Sequence, residues 1–259
     1  MRIFIETDLE GISGISSIDE IERRDPHGLE RLMADLNAAV SGVFDAGADE
    51  VYVTDGHGGG NNFIHELLDK RARQVSASAD DLVGCDAAFI IGAHAMAGSE
   101  NAFLDHTQSS VAWHNYYING CRHGELGQLA AYAGAFGIPL VMVSGDLAAC
   151  AEARALFGDV ETAVVKYADG RNRARCIPVA EAERLIHDAA YRAVADLPRG
   201  RVKPYHVSLP ARVVVEYNRS DYCDNACENA LKSGRLERLD ARTVQKTVNQ
   251  ISCYADLLP

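Results

Sequence analysis

Residues 1–12 read Met-Arg-Ile-Phe-Ile-Glu-Thr-Asp-Leu-Glu-Gly-Ile, an apolar and β-branched run that ends in Asp8 and Glu10. The run predicts a buried strand with its acidic residues at the carboxyl end, where α/β sheets place ligand-binding groups. Because side chains alternate along a strand, Asp8 and Glu10 point to the same side while Leu9 points towards the core. No lysine or arginine follows before position 23. A metal ion is therefore the simplest partner for the two carboxylates, and a solvated turn is the alternative.

Composition excludes several classes of function. The 259 residues include 37 acidic and 25 basic side chains, and the formal charge of −12 argues against a nucleic-acid partner or an anionic membrane surface. No stretch has the roughly 18 apolar residues of a transmembrane helix, and no signal peptide precedes the first strand, so we expect a cytoplasmic protein. The seven cysteines are mostly scattered singly and predict reduced thiols. Cys223 and Cys227 are expected to be ordinary helix residues, since no second ligand pair lies nearby to complete a zinc site.

The chain alternates between strand and helix patterns, which predicts an α/β fold with a mostly parallel sheet flanked by helices. An Asn119-Gly120 pair predicts a hairpin after an aromatic run. Expected strands lie near residues 1–7, 50–54, 87–91, 139–144 and 161–167, and expected helices near 26–46, 62–70, 124–137, 147–157 and 179–197.

A short segment rich in proline and basic residues, 198–204, is the one plausible linker. It predicts a catalytic α/β domain over residues 1–197 and a smaller C-terminal α/β subdomain over residues 205–259. The subdomain is expected to contain strands at 211–217 and 236–247, a helix near 221–232 and a terminal helix.

Five potential metal ligands follow the expected strands or begin a helix. Asp8, Glu10, His57 and His94 come at the ends of three strands, and Glu125 begins the helix near 124–137. Parallel strands deliver their carboxyl ends to one edge of a sheet, so these residues can meet. Alone, each histidine is more often a hydrogen-bonded turn residue. Together, His and carboxylate ligands suit a borderline divalent metal such as zinc.

The charge of these five residues favours two metal ions. Three carboxylates and two neutral imidazoles carry a charge of −3, and one divalent ion would leave −1 with too many ligands for tetrahedral zinc. Two ions would give +1, which a bound hydroxide nearly cancels. We therefore expect a dinuclear site with Asp8 as the bridge, in which the metals acidify a water and polarise the carbonyl that it attacks.

His106 stands apart in an irregular segment. A histidine beside such a metal site could act as the base or stabilise the oxyanion, and a surface loop histidine is the alternative. Other chemistries are less well supported. The glycine-rich segment that begins at Asp55 lacks the Lys and Ser/Thr of a phosphate-binding loop, and no Gly-x-Ser-x-Gly elbow is present.

These motifs, in this order over about the first 150 residues, resemble the DppA-type D-aminopeptidases. The motifs are Thr7-Asp8-Leu-Glu10-Gly11, Asp55-Gly-His57 with Asn61-Asn62, Gly92-Ala-His94, the single His106, and Gly124-Glu125-Leu-Gly127. The resemblance implies one zinc ion held by Asp8, Glu10 and His57, a second held by Asp8, His94 and Glu125, and His106 as the catalytic histidine. It also implies release of N-terminal amino acids with a preference for D-residues, and a ring-shaped homo-oligomer, a decamer.

The sequence thus predicts a metal-dependent amide hydrolase with two divalent ions, zinc by preference, that acts on short peptides or amino-acid amides. Asp105 departs from the family pattern, and its carboxylate could raise the pKa of the neighbouring His106. A hydrolase of another small amide with the same metals is one alternative, and a metal-containing binding protein without turnover is another. A calcium-binding module would use oxygen ligands only, and the histidines oppose it.

Overall fold

The computed structural model describes residues 1–22 and 25–259. The strands are β1 (Arg2–Thr7), β2 (Glu50–Asp55), β3 (Ala72–Gln74), β4 (Ala87–Ala93), β5 (Trp113–Ile118), β6 (Cys121–Arg122), β7 (Leu140–Asp146), β8 (Glu161–Ala168), β9 (Ala174–Cys176), β10 (Ala211–Tyr217), β11 (Glu237–Arg238) and β12 (Thr243–Val248). The α-helices are α1 (Ile18–Glu22), α2 (Pro26–Asp45), α3 (Ala79–Leu82), α4 (Glu125–Ala135), α5 (Leu147–Phe157), α6 (Val179–Asp196) and α7 (Ser220–Lys232).

The larger sheet has seven strands in the order β3-β2-β1-β4-β7-β8-β9. All neighbours are parallel except β8 and β9. In the centre, Ile3 of β1 pairs with Val51 of β2 on one side and with Ala87 of β4 on the other. This arrangement confirms the predicted α/β fold with a mostly parallel sheet flanked by helices. It also puts the carboxyl ends of β1, β2 and β4 side by side.

Both faces of the larger sheet are covered, which explains why β1 is a continuous apolar run. Ile3 and Ile5 pack with residues of α2 and α6 on one face. Phe4 packs on the other face, in a cluster that includes residues of α4 and of the second sheet. This packing on both faces fixes the orientation of β1, so the direction of each side chain that follows Ile5 at the edge of the sheet is also fixed.

The second sheet is antiparallel, with the order β11-β12-β10-β5-β6. Its hairpin β5-β6 turns at Asn119 and Gly120, whose φ angles of 52° and 82° suit the predicted turn. The hairpin lies within residues 1–197 but pairs with β10, where Val213 faces Ile118 and Val215 faces Tyr116. The two sheets therefore do not separate at the predicted linker 198–204. The division into domains 1–197 and 205–259 stays a prediction.

Three predicted elements differ in the structure. The segment after Asn62 forms turns and not a helix up to Lys70. The reason is that side chains form hydrogen bonds with backbone carbonyl and N–H groups that a helix would pair with each other. Asn37 Nδ2 donates to Leu67 O (2.7 Å), and Asn37 Oδ1 accepts from Asp69 N (2.9 Å). The predicted strand 236–247 is the separate pair β11 and β12, which face each other across a turn. The predicted terminal helix is a single 3-10 turn, Tyr254–Leu257.

The remaining sequence expectations concern thiols and membranes. All seven cysteines are free, and Cys223 and Cys227 lie buried on α7 as expected of helix residues. Among the residues that the structure describes, no helix combines the length and the apolar character needed to cross a membrane.

Candidate metal centre

The site lies at the carboxyl edge of the larger sheet, where β1 and β4 end in close contact. Asp8 N donates to Ile91 O (2.8 Å) and Gly11 N donates to Gly92 O (2.7 Å), so the chain leaving β1 follows the end of β4. A Cβ atom on Gly11 would lie 2.0 Å from Ala93 O. Only glycine allows this approach, and the approach fixes the backbone that carries Asp8 and Glu10.

The structure brings all five predicted ligands together in two groups that share Asp8. In the first group, His57 Nδ1 lies 3.1 Å from Asp8 Oδ1 and 2.9 Å from Glu10 Oε2. In the second, His94 Nε2 lies 3.4 Å from Asp8 Oδ2 and 3.4 Å from Glu125 Oε1. The two oxygens of Asp8 thus face different histidines, as a bridging carboxylate would.

These separations fit zinc ligation. Ligands bound tetrahedrally at about 2.0–2.1 Å lie about 3.3 Å from one another, close to the spacing in both groups. Glu10 Oε2 is buried and accepts no hydrogen bond from the described residues, although His57 is near. A buried carboxylate oxygen without a donor is costly, and a cation would satisfy it. The donor set of imidazole and carboxylate groups also suits a borderline divalent metal.

Local hydrogen bonds hold the histidine and glutamate ligands in place. His94 Nδ1 lies 3.0 Å from Ala95 O, so Nδ1 carries a hydrogen and Nε2 is the nitrogen that would bind a metal between the carboxylates. The backbone O of His57 accepts from Asn62 Nδ2 (2.8 Å), which anchors the loop after β2. Glu125 is the first residue of α4, and its Oε1 accepts from Gln108 N (2.7 Å).

Without metal, the two histidines hold protons strongly. Burial would lower the pKa of His57, but the carboxylates of Asp8 and Glu10, 3.1 Å and 2.9 Å from Nδ1, outweigh burial and raise the pKa to about 11. The pKa of His94 is likewise raised well above its ordinary value, because Glu125 and Asp8 outweigh the effect of burial. Burial would raise the pKa of Glu125, but the positive charge of His94 keeps it below its ordinary value. The carboxylates therefore create a site that requires cations.

His106 stands directly beside the two groups. Its ring stacks on His94, with centroids 3.8 Å apart and planes 8° from parallel. Its Nδ1 lies 2.7 Å from Leu104 O, so its Nε2 is the free nitrogen, 3.8 Å from Glu125 Oε1 and 3.9 Å from Glu10 Oε1. The ring therefore presents an acceptor to the same space as the ligands.

Asp105, the departure noted in the sequence, is engaged elsewhere. Its carboxylate accepts from Gly98 N (2.7 Å) and pairs with Arg171 at 3.3 Å. His106 makes its own Nδ1 bond to Leu104 O. The interaction expected between Asp105 and the His106 ring is thus replaced by these contacts.

A cavity of about 650 Å³ opens over the metal centre. Besides four of the predicted ligands (Asp8, Glu10, His57 and Glu125), its walls include Glu6, Tyr132 and Tyr254, which sequence reasoning missed. The strand alternation that aligned Asp8 with Glu10 also aligns Glu6 with them, so this signal was present. Nothing in the sequence connects Tyr254 to the site. Its hydroxyl donates to Gln128 Oε1 (3.0 Å), which brings the last residues of the chain to the cavity wall.

A family model for D-aminopeptidases matches residues 1–258. The chain belongs to the D-aminopeptidase family. A curated D-aminopeptidase of Bacillus subtilis (strain 168) is 31% identical over 269 aligned residues, which cover 100% of this chain and 96% of the relative. Among solved structures, the Zn-dependent D-aminopeptidase DppA from Bacillus subtilis, described as a self-compartmentalizing protease, matches with a TM-score of 0.88 and 26% identity. That match covers 100% of this chain and 96% of the other. The family resemblance predicted from the motifs is confirmed.

Proposed function

We propose that the protein is a zinc-dependent aminopeptidase that hydrolyses the amide bond after an N-terminal D-amino acid in short peptides or amino-acid amides. The observation that carries the proposal is the pair of ligand groups that share Asp8 beneath one cavity, with His106 beside them. Family membership, together with the names of a related D-aminopeptidase and of the Zn-dependent D-aminopeptidase DppA, supports the zinc dependence and the D-residue preference.

In this proposal Asp8, Glu10 and His57 hold one zinc ion, and Asp8, His94 and Glu125 hold the other. When bound, two such ions lower the pKa of a water and polarise the scissile carbonyl. The cavity above them is about 650 Å³, large enough for a dipeptide-sized ligand.

His106 is the proposed proton carrier. Its Nδ1 hydrogen bond to Leu104 O sets the tautomer in which Nε2 is unprotonated, and Nε2 faces Glu10 and Glu125. In that position Nε2 can accept a proton from the attacking water and return it to the leaving amine. The stacked ring of His94 restricts the tilt of the His106 ring and keeps Nε2 directed into the cavity.

The first experiment is hydrolysis of paired D- and L-aminoacyl amides and dipeptides by the purified protein, with and without a chelator. We expect cleavage that favours the D-series, is abolished by the chelator and is restored by zinc. Chelator-sensitive cleavage of only non-peptide amides would select the alternative small-amide hydrolase. No cleavage by protein that holds its metals would select the binding-protein alternative.

Variants test the assignment of each residue. Asp8→Asn should lose both metals because it removes the shared ligand, whereas Glu125→Gln should lose one. His106→Ala should keep both metals and lose turnover by about 100-fold or more, the usual contribution of a general base. Normal metal content in Asp8→Asn would contradict the bridge, and normal turnover in His106→Ala would contradict the catalytic role.

We also propose that the chain assembles into a ring-shaped homo-oligomer, a decamer, that encloses its active sites. The description of the related DppA structure as self-compartmentalizing supports assembly around enclosed sites. Light scattering of the purified protein would give ten times the 28.0 kDa chain mass if this is correct. The cytoplasmic location stays a prediction.

A further inference from the structure

Glu6 is an acidic side chain at the metal centre that has no assigned task. It lies on β1, the central strand of the larger sheet, where it pairs with Thr54 of β2 and Ile90 of β4. Its side chain lines the cavity and forms no hydrogen bond or ion pair with the residues that the structure describes. A carboxylate on a central strand is uncommon unless a partner satisfies it.

The surroundings of Glu6 leave room for a ligand and contain negative charge. A Cβ atom on Gly56 would lie 3.1 Å from Glu6 Cγ and 3.2 Å from Glu6 Cδ, so the glycine provides the space that the glutamate occupies. The charges that act on Glu6 are those of Glu125 and Asp8, two ligands of the second metal group.

We propose that Glu6 binds the free α-ammonium group of the substrate and so restricts the enzyme to unblocked N-termini. This proposal rests on the proposed aminopeptidase function and names a substrate-binding residue of that same site. An ammonium donates up to three hydrogen bonds and brings the positive charge that Glu6 lacks.

Position distinguishes the α-ammonium from a basic side chain of the substrate. The α-amine is attached to the carbon next to the scissile carbonyl, so its acceptor must lie beside the metal ligands. Glu6 is two residues from Asp8 on the same side of β1, about 7 Å along the strand. A side-chain amine of the substrate would lie several ångströms farther from the scissile carbonyl, and so farther from the metal ligands.

The test compares the zinc-loaded wild type with Glu6→Gln, which keeps the shape of the side chain and removes its charge. The substrate is D-alanine p-nitroanilide, and D-lactamide, in which a hydroxyl replaces the ammonium, is the competitive inhibitor. We expect Glu6→Gln to lower kcat/KM by about tenfold to a hundredfold, mainly through KM, as the loss of a charge-assisted hydrogen bond implies. The Ki of D-lactamide should change less than about threefold. Asp80→Asn is the matched control, because Asp80 is an exposed acid that is not among the residues lining the cavity and should leave kcat/KM unchanged.

Three results would overturn the assignment. The first is kcat/KM within about twofold of wild type at full zinc content, and the second is loss of zinc from Glu6→Gln, which would make Glu6 part of the metal site. The third is a penalty seen with D-lysine p-nitroanilide but not with the D-alanine substrate, which would assign Glu6 to a side-chain amine.

The experiment also separates this proposal from the proposed function. If the wild type cleaves no aminoacyl amide, the function fails. Calorimetric binding of D-alaninamide and D-lactamide to the zinc-loaded protein then decides the role of Glu6 alone. Tighter binding of the amine by wild type, lost in Glu6→Gln, supports an ammonium site without turnover. Equal binding of the two amides by the wild type overturns it.

Discussion

Zinc loading of the metal-free protein should release protons, because the proposed ligands His57 and His94 hold protons until a metal replaces them. The pKa of His57 is about 11 beside Asp8 and Glu10, and the pKa of His94 is raised well above its ordinary value. A metal ion binds the neutral imidazole. At pH 7 we therefore expect these two residues to release about two protons per chain when both sites fill.

The size of the effect follows from the pKa of His57. At pH 7 the imidazolium is favoured by about four pH units, so deprotonation costs roughly 5 kcal/mol of the zinc binding free energy. Since the folded pKa lies above the working pH, raising the pH removes this cost. Apparent zinc affinity at the His57 site should rise about tenfold per pH unit from pH 7 towards 11.

The assay strips the protein with a chelator, confirms by circular dichroism that it remains folded, and titrates zinc calorimetrically in two buffers of different ionisation enthalpy. The difference between the buffers gives the number of protons released. His57→Gln should release about one proton fewer, and His27→Ala, which changes an exposed histidine, should match wild type. Full zinc loading at pH 7 without proton release would refute this account of the site.

Three further predictions concern the support of the metal centre. Gly11→Ala should abolish zinc binding and destabilise the fold by about 3 kcal/mol or more, because its Cβ would lie 2.0 Å from Ala93 O. Metal analysis and denaturant unfolding measure the two effects. A stable variant that holds both zinc ions would contradict the prediction. Lys166→Met should weaken zinc binding by about 10–100-fold. The buried ammonium donates to Glu10 O and Ile15 O at 2.7 Å each and so holds the loop that carries Glu10. Competition with a fluorescent chelator measures the zinc affinity, and an unchanged affinity would count against the prediction. Removal of both zinc ions should lower the midpoint of thermal unfolding by about 10 °C, since a ligand present at about 100 times its Kd adds about 2.7 kcal/mol of stability per site. Calorimetry with and without chelator measures the midpoint. An equal midpoint would argue against bound metal.

The residues of the candidate metal centre were predictable because most of them come directly after apolar strand patterns in the sequence. The apolar run of β1 indicated a buried strand, and strand alternation placed Asp8 and Glu10 on one side. Parallel strands end at one edge, so His57 and His94 were expected at the same place. The structure brings them to within 2.9–3.4 Å of the carboxylates. Their roles as ligands stay a proposal.

Other features depended on contacts between distant parts of the chain. The aromatic run before Asn119-Gly120 indicated one arm of a hairpin, but not that this strand also pairs with β10, nearly a hundred residues later. The segment after Asn62 has an apolar spacing that suits a helix, yet bonds from Asn37 on α2 hold it as turns. Local patterns carry no information about such partners.

By itself, the sequence determined the mostly parallel sheet and the set of acidic and histidine side chains at its edge, because these follow from local periodicity and from the geometry of parallel strands. The family followed from the resemblance of its ordered motifs. Only the tertiary structure decided which groups surround them. It placed Tyr254 in the cavity wall, Lys166 under the loop of Glu10, and Glu6 in the cavity with no hydrogen-bond or ion-pair partner among the described residues. These contacts arise from packing between elements far apart in the chain, and the free energy of such packing depends on shapes and distances that a linear pattern does not contain.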